Sequence, residues 1–114
     1  MNKIDQIANY KISLHTKIYN ADNLNILMEN IIEEFTNRQI PILCNNVDNN
    51  ILGFSVSSTD TYIIKECIYN SYYNFFNSLP KDLDLNLSKD ISIEDLYNLT
   101  ILNNSDRSNI LLIL

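Results

Sequence analysis

The chain has 114 residues, of which 14 are acidic and 8 are basic, giving a net charge of -6 at pH 7. This length predicts a single domain over residues 1–114, because two separate cores would each be too small to offset the loss of chain entropy. The negative charge disfavours direct binding to nucleic acids and to anionic membranes, and it favours a basic protein partner. A hydrophobic content of 46% excludes a disordered chain.

Residue usage and the first residues indicate a source and a compartment. Asparagine is frequent and glycine occurs once, which is typical of an AT-rich coding sequence from a low-GC bacterium, a phage or a large virus. The opening MNKIDQIANY has no apolar signal region, and no apolar run is long enough to cross a bilayer. We therefore expect a cytoplasmic protein whose Cys44 and Cys67 are buried, reduced thiols.

The first half of the chain predicts a strand, a helix and a hairpin. Residues 10–19 alternate between apolar and polar side chains and predict a half-buried strand after a short helix at 2–8, although a helical interpretation of this segment stays open. Residues 22–38 predict a helix that Asn20 or Asp22 caps. Residues 40–57 predict a hairpin with a turn at NNVDNN, in which Gly53 marks a bulge or a close backbone approach.

The second half predicts two more helices and the end of the sheet. Residues 59–79 predict a long helix that Ser58 or Thr59 caps, followed by Pro80. Residues 82–88 predict an edge strand or an extended loop. A further helix is expected from Ser92 to about Asn103, and the continuous apolar run NILLIL predicts a buried strand.

This order of elements predicts an α+β fold. We expect a small single domain with an antiparallel or mixed sheet of about four strands and two to three helices packed on it. Without the last helix, the order resembles the split β-α-β motif, so a ferredoxin-like topology is one candidate.

No pattern in the sequence predicts catalysis. His15 and Cys67 could form a dyad only if the fold brought them together, and their expected places on a polar strand face and a helix flank argue against it. The segment Asp82–Asn86 resembles the start of a calcium loop, but Leu87 and Ile93 stand where that loop needs glycine and glutamate. A single histidine and two separated cysteines disfavour zinc. We expect no enzyme activity, no cofactor and no metal.

Two surfaces are candidates for partner binding. The 59–79 helix carries a second aromatic stripe about 110° from its first apolar stripe, so the helix is either buried on two sides or meets a partner. An acidic face is expected on the 22–38 helix, and Glu34 is a less certain member of it. The candidate partner-binding residues are Tyr62, Tyr69, Tyr73, Phe76, Asp22, Glu29 and Glu33.

These observations favour an acidic protein-binding module. The narrower hypothesis is an inhibitor or immunity protein, including the anti-defence type, that occupies a basic partner such as a nuclease. One alternative is a homodimeric subunit or secretion-type chaperone, whose interface would combine the apolar C-terminal run with the second aromatic stripe. Another is a small-ligand sensor or enzyme, which would need a deep pocket holding His15, Cys67 or perturbed carboxylates.

Overall fold

Two helices and four strands make up the part of the chain that the structure describes. The computed structural model describes residues 21–48, 50–78 and 97–114. In chain order the elements are α1 (Ala21–Asn37), β1 (Ile42–Val47), β2 (Ile51–Val56), α2 (Thr61–Ser78), β3 (Asn98–Asn103) and β4 (Ser108–Ile113). This is the expected α+β fold with a four-stranded sheet.

The sheet is antiparallel throughout, with the strand order β1-β2-β4-β3. β2 and β4 are the central pair, and Phe54 lies opposite Ile110. The register of β1 shifts between Cys44 and Asn46, and Gly53 pairs with Asn46 directly after the shift. The glycine therefore marks a bulge, as its position in the sequence predicts.

Both helices contribute to one core with a single face of the sheet. In α1 the apolar residues recur at intervals of three and four, so they form a stripe along one side of the helix. In β2 and β4 they recur at every second position, so they share one sheet face. The buried set comprises Leu24, Leu27, Ile31, Phe35, Leu52, Phe54, Val56, Ile64, Cys67, Ile68, Tyr72, Phe75, Phe76, Ile110 and Leu112.

Local hydrogen bonds define the ends of the helices. Asp60 caps α2, since its Oδ1 accepts from the backbone N–H groups of Tyr62 at 3.1 Å and Ile63 at 3.2 Å. The prediction that Ser58 or Thr59 caps this helix is therefore wrong. Ser58 Oγ instead accepts from the backbone N–H of Asp60 at 3.2 Å, so it supports the cap rather than forming it.

The bounds of α1, α2 and the β1–β2 hairpin agree with the predicted ones to within about two residues. The prediction of a helix from Ser92 to Asn103 is wrong at its C-terminal end. Residues 98–103 form β3, in which the half-buried Leu99 and Ile101 alternate with exposed neighbours. A period of two matches a strand packed on one side, and pairing with β4 outweighs the helical cap signal.

The C-terminal run forms a strand as predicted, but only one of its faces is buried. Ile110 and Leu112 lie in the core, whereas Leu111 and Ile113 are exposed. A continuous apolar run predicts burial on both faces, and here a covering layer on the second face is missing from the described part of the chain.

The strand order differs from the ferredoxin-like candidate. That topology would place a strand from before α1 beside β2, whereas β4 occupies this position. The predictions for residues 2–8, 10–19 and 82–88 lie outside the described residues, as do His15, Asp82–Asn86 and the predicted start of the third helix.

Candidate functional site

Three of the four aromatic candidates on α2 are exposed to solvent. Tyr62 is 87% exposed, Tyr73 is 55% exposed and Tyr69 is 42% exposed. Phe76 is only 8% exposed and packs against the rings of Phe75 and Tyr72, with centroid distances of 5.4 Å and 5.9 Å. Phe76, which the sequence predicts as a partner-binding residue, therefore lies in the core.

The geometry of the helix explains this division of the aromatic stripe. Phe76 lies about 40° from Tyr72 on a helical wheel of 100° per residue, so it falls at the edge of the buried side. The three exposed tyrosines lie farther round the helix, away from the buried Ile64 and Ile68. The two stripes expected from the sequence are thus one core face, which includes Phe76, and one tyrosine face.

The acidic candidates on α1 are also exposed. Asp22, Glu29 and Glu33 all have exposed side chains. Glu34 differs from its neighbour, because its Oε1 lies 3.4 Å from Arg38 Nε and accepts from Asn70 Nδ2 at 3.3 Å. Glu34 therefore connects α1 with α2 and does not belong to the acidic face.

Contacts between the helices place the tyrosine and acidic faces on the same side of the molecule. Arg38 Nη1 donates to Glu66 Oε2 at 3.1 Å. Ser71 Oγ, which donates to the carbonyl oxygen of Cys67 at 2.7 Å, lies 3.4 Å from the carbonyl oxygen of Asn30. Late residues of α1 thus meet early residues of α2, so the helices are antiparallel. On helical wheels of 100° per residue the tyrosines lie about 140–180° from the buried Ile64 and the acids about 140–180° from the buried Leu24, so both faces point away from the core. We call them together the outer helical surface, with the members Asp22, Glu29, Glu33, Tyr62, Tyr69 and Tyr73.

A cleft adjoins this surface at Tyr69. Its volume is about 550 Å³, and its described lining residues are Lys65, Glu66, Tyr69, Tyr97, Asn98 and Leu99. Tyr97 stacks on the buried Tyr72 with a centroid distance of 4.3 Å and an interplanar angle of 22°. The aromatic core therefore extends through Tyr97 to the wall of the cleft, which gives the tyrosine face a recess beside it.

Comparisons with protein-family models, with curated proteins and with solved structures find no match to this chain. Its function is therefore argued from the surface itself. Among the described residues, neither helix is both long and apolar enough to cross a membrane.

The thiols of the described residues are not arranged for nucleophilic chemistry. Burial raises the pKa of the Cys67 thiol to about 11, so this thiol stays protonated at neutral pH. The expectation that both thiols are buried is wrong for Cys44, which lies exposed on β1 with its Sγ 3.8 Å from the Sδ of Met28. Over residues 21–48, 50–78 and 97–114, no three His, Cys, Asp or Glu side chains gather where they could hold a metal ion.

The described lining of the cleft contains no thiol and no histidine, and the small-ligand hypothesis stays a prediction. Cys67 is not among its described lining residues, His15 lies outside the described ranges, and Glu66 is already paired with Arg38. Sequence reasoning missed Tyr97 and Leu99 as lining residues because it assigned them to a helix. The alternation of Leu99 and Ile101 is the signal that could have placed this segment in the sheet.

Proposed function

We propose that this protein is a binding module that occupies a basic protein partner through the outer helical surface. The observation that carries the proposal is the exposure of three tyrosines on one helix face, at 42%, 55% and 87%. Tyrosine is enriched at the energetic centres of protein interfaces, because it combines a large apolar ring with a polar hydroxyl. The ring faces also attract arginine and lysine side chains.

The acidic part of the surface favours a basic partner over a neutral one. Asp22, Glu29 and Glu33 are exposed on α1, and no ion pair joins them to the described residues. Unpaired surface carboxylates attract a positively charged partner at long range and orient it before contact. The whole chain adds to this effect, since its net charge is -6.

The cleft beside Tyr69 supports the same proposal. Partner residues that dominate binding free energy usually insert into a recess from which water is excluded. A volume of about 550 Å³ is ample for one large side chain, and Tyr69 and Tyr97 supply aromatic walls. A basic partner could therefore place one anchoring side chain in the cleft and its remaining cationic groups against the acids of α1.

The narrower proposal is an inhibitor of the immunity or anti-defence type, with a nuclease as the partner. A nuclease has a basic groove for nucleic acid, and a small acidic protein inhibits it by covering that groove without any chemistry. Residue usage supports a phage, viral or low-GC bacterial source.

Affinity capture with matched variants tests the proposal. The full chain serves as bait in lysate of a low-GC bacterium, beside Tyr73→Ala and a control, Val47→Ala, at the exposed end of β1. We expect one stoichiometric basic protein with wild type and control. Because truncating a central interface tyrosine typically costs about 2 kcal/mol or more, Tyr73→Ala should bind tenfold or more weakly.

The captured protein is then purified, and its Kd for each variant is measured directly. Equal affinity for Tyr73→Ala and wild type would refute the assignment of the tyrosine face. Loss of binding in Val47→Ala alone would move the interface to the β1–β2 hairpin. Circular dichroism confirms that each variant is folded, which is expected because both side chains are exposed.

A further inference from the structure

No element of residues 21–48, 50–78 or 97–114 covers the sheet face that lies opposite the helices, and we call it the open face. Because side chains alternate along a strand, the residues between the buried positions of each strand point away from the core. Leu43 on β1 is 61% exposed and Leu102 on β3 is 62% exposed, while Leu111 and Ile113 on the central β4 are also exposed. Large apolar residues thus occupy both edges and the centre of this face.

The open face carries almost no charge. None of the four strands contains an acidic or basic residue. The one cationic group that a hydrogen bond of the described residues brings onto this face is Arg107, whose Nε donates to Ser55 Oγ at 3.2 Å. The outer helical surface on the other side of the molecule is, by contrast, acidic.

We propose that the open sheet face binds a second copy of this chain. Self-association through the outer helical surface would bring like charges together in a chain of net charge -6. The open sheet face, whose strands carry no acid, lets two copies meet with less of that repulsion. A two-fold axis that lies in the interface and runs perpendicular to the strands would place β4 against β4 and the two Arg107 side chains at opposite ends of the interface, so the patch is self-complementary.

The pairing register of the strands shows which residues would lie side by side in the dimer interface. Leu43 pairs with Ser55, Ser55 with Asn109 and Asn109 with Leu102, so these four residues form one row across the sheet. The two leucines end the row, and Leu111 lies one row farther along β4. Two such faces stack about 10 Å apart with their strands roughly aligned, as in a β-sandwich.

The area of the face sets the expected strength of the dimer. Four strands spaced about 4.8 Å apart, each of six residues rising about 3.3 Å per residue, cover roughly 400 Å² in projection. Side-chain relief enlarges the accessible area, yet the total stays near the lower limit for specific interfaces of about 600 Å² per partner. We therefore expect a dimer with a micromolar Kd rather than an obligate one.

The homodimer expected from the sequence combined the C-terminal run with the second aromatic stripe in one interface. The structure separates them, because Leu111 and Ile113 lie on the sheet face and the exposed tyrosines lie on the helical side. The dimer and the proposed partner site therefore use opposite sides of the molecule, and each can fail without the other.

Sedimentation equilibrium of the full chain tests the dimer from about 5 to about 500 µM, a range that brackets a micromolar Kd. Wild type should approach twice the 13.2 kDa mass of one chain. Leu43→Lys and Leu102→Lys, on opposite edges of the face, should each weaken dimerisation at least tenfold. Ile26→Lys makes the same kind of change at an exposed apolar residue of α1 and should leave dimerisation unchanged.

Salt and dilution supply readouts that need no variant. High salt should preserve or strengthen the dimer, because it screens the repulsion between two acidic chains and breaks no ion pair on the face. On dilution of wild type, the backbone amide NMR signals of Leu111 and Ile113 should shift while those of α1 stay constant. A monomer at about 500 µM, equal dissociation by Ile26→Lys, or shifts confined to α1 would each overturn the proposal.

Discussion

Gln39 shows how a single residue can be held in a conformation that its own chemistry disfavours. Its φ of 60° lies in the left-handed region. Its backbone N–H donates to the carbonyl oxygen of Thr36 at 3.0 Å, and that of Ile40 donates to the carbonyl oxygen of Phe35 at 2.9 Å. This is the Schellman arrangement that ends many helices, and glycine usually occupies the left-handed position because it has no β-carbon.

We predict that Gln39→Gly stabilises the protein. Removing the β-carbon relieves the left-handed penalty of about 1–2 kcal/mol, and part of this gain is lost to the greater freedom of glycine in the unfolded chain. The free energy of unfolding, measured with urea, should rise by about 0.5–1 kcal/mol. Gln39→Ala keeps the β-carbon and should bring no gain. A glycine variant less stable than wild type would contradict this account of the helix end.

At the scale of elements, a buried hydroxyl connects the β3–β4 hairpin with the segment before α2. Ser108 is fully buried, and its Oγ donates to the carbonyl oxygen of Ser58 at 2.6 Å. The same oxygen lies 2.7 Å from the side-chain amide of Asn103 at the end of β3. One serine thus holds the start of β4, the end of β3 and the approach to α2 together.

Ser108→Ala should destabilise the fold by about 0.5–1.5 kcal/mol, because the carbonyl group of the half-buried Ser58 loses its hydrogen-bond donor. Thermal and urea unfolding measure the loss. The matched control is Ser105→Ala, an exposed serine in the same hairpin turn, which should change stability by less than about 0.5 kcal/mol. Equal stabilities for the two variants would show that the Ser108 hydroxyl contributes nothing to holding these elements together.

The elements also show which structural features the sequence could predict. Helices α1 and α2 have a period that matches their geometry over four or more turns, so their bounds were predictable to within about two residues. The bounds of β3 were not predictable, because its six residues show only a short alternation after a helix-capping signal. Pairing with β4 determines the conformation of this segment. The exact N-cap of α2 was ambiguous, since Ser58, Thr59 and Asp60 are all good capping residues.

The candidate site was predictable in part for a related reason. Helical periodicity separated Tyr62, Tyr69 and Tyr73 from the core stripe, and charge patterning identified Asp22, Glu29 and Glu33. Helical periodicity does not define where the buried side of α2 ends, so the sequence groups the buried Phe76 with the exposed tyrosines. The cleft was beyond sequence reasoning, because Tyr97 reaches α2 only through the folding of β3 onto β4.

At the scale of the whole molecule, the two sides of the fold present opposite chemistry. The helical side carries exposed carboxylates and tyrosines, and the sheet side carries exposed aliphatic residues with no acid on its strands. For the proposed basic partner, the described carboxylates of α1 would supply long-range attraction on the same side as the exposed tyrosines. A protein that inhibits by covering a basic groove benefits from both, since charge sets the association rate and aromatic burial sets the dissociation rate.

This division predicts how salt and substitution act on binding to the basic partner. The association rate should fall about tenfold or more between low and high salt, because the screening length shrinks from about 10 Å at 0.1 M to about 3 Å at 1 M. Glu33→Gln should flatten this salt dependence. Tyr73→Ala should raise the dissociation rate at every salt concentration and leave the slope unchanged.

Asp106→Asn is the matched control for charge, because it removes one exposed acid at the β3–β4 turn rather than on α1. Stopped-flow mixing gives the association rates. If Asp106→Asn flattens the slope as much as Glu33→Gln does, the net charge of the chain explains the salt dependence of the association rate. The acidic face of α1 then contributes no more than any other exposed carboxylate. If binding is insensitive to salt but sensitive to Tyr73→Ala, charge steering is refuted and the partner is held by the tyrosine face alone.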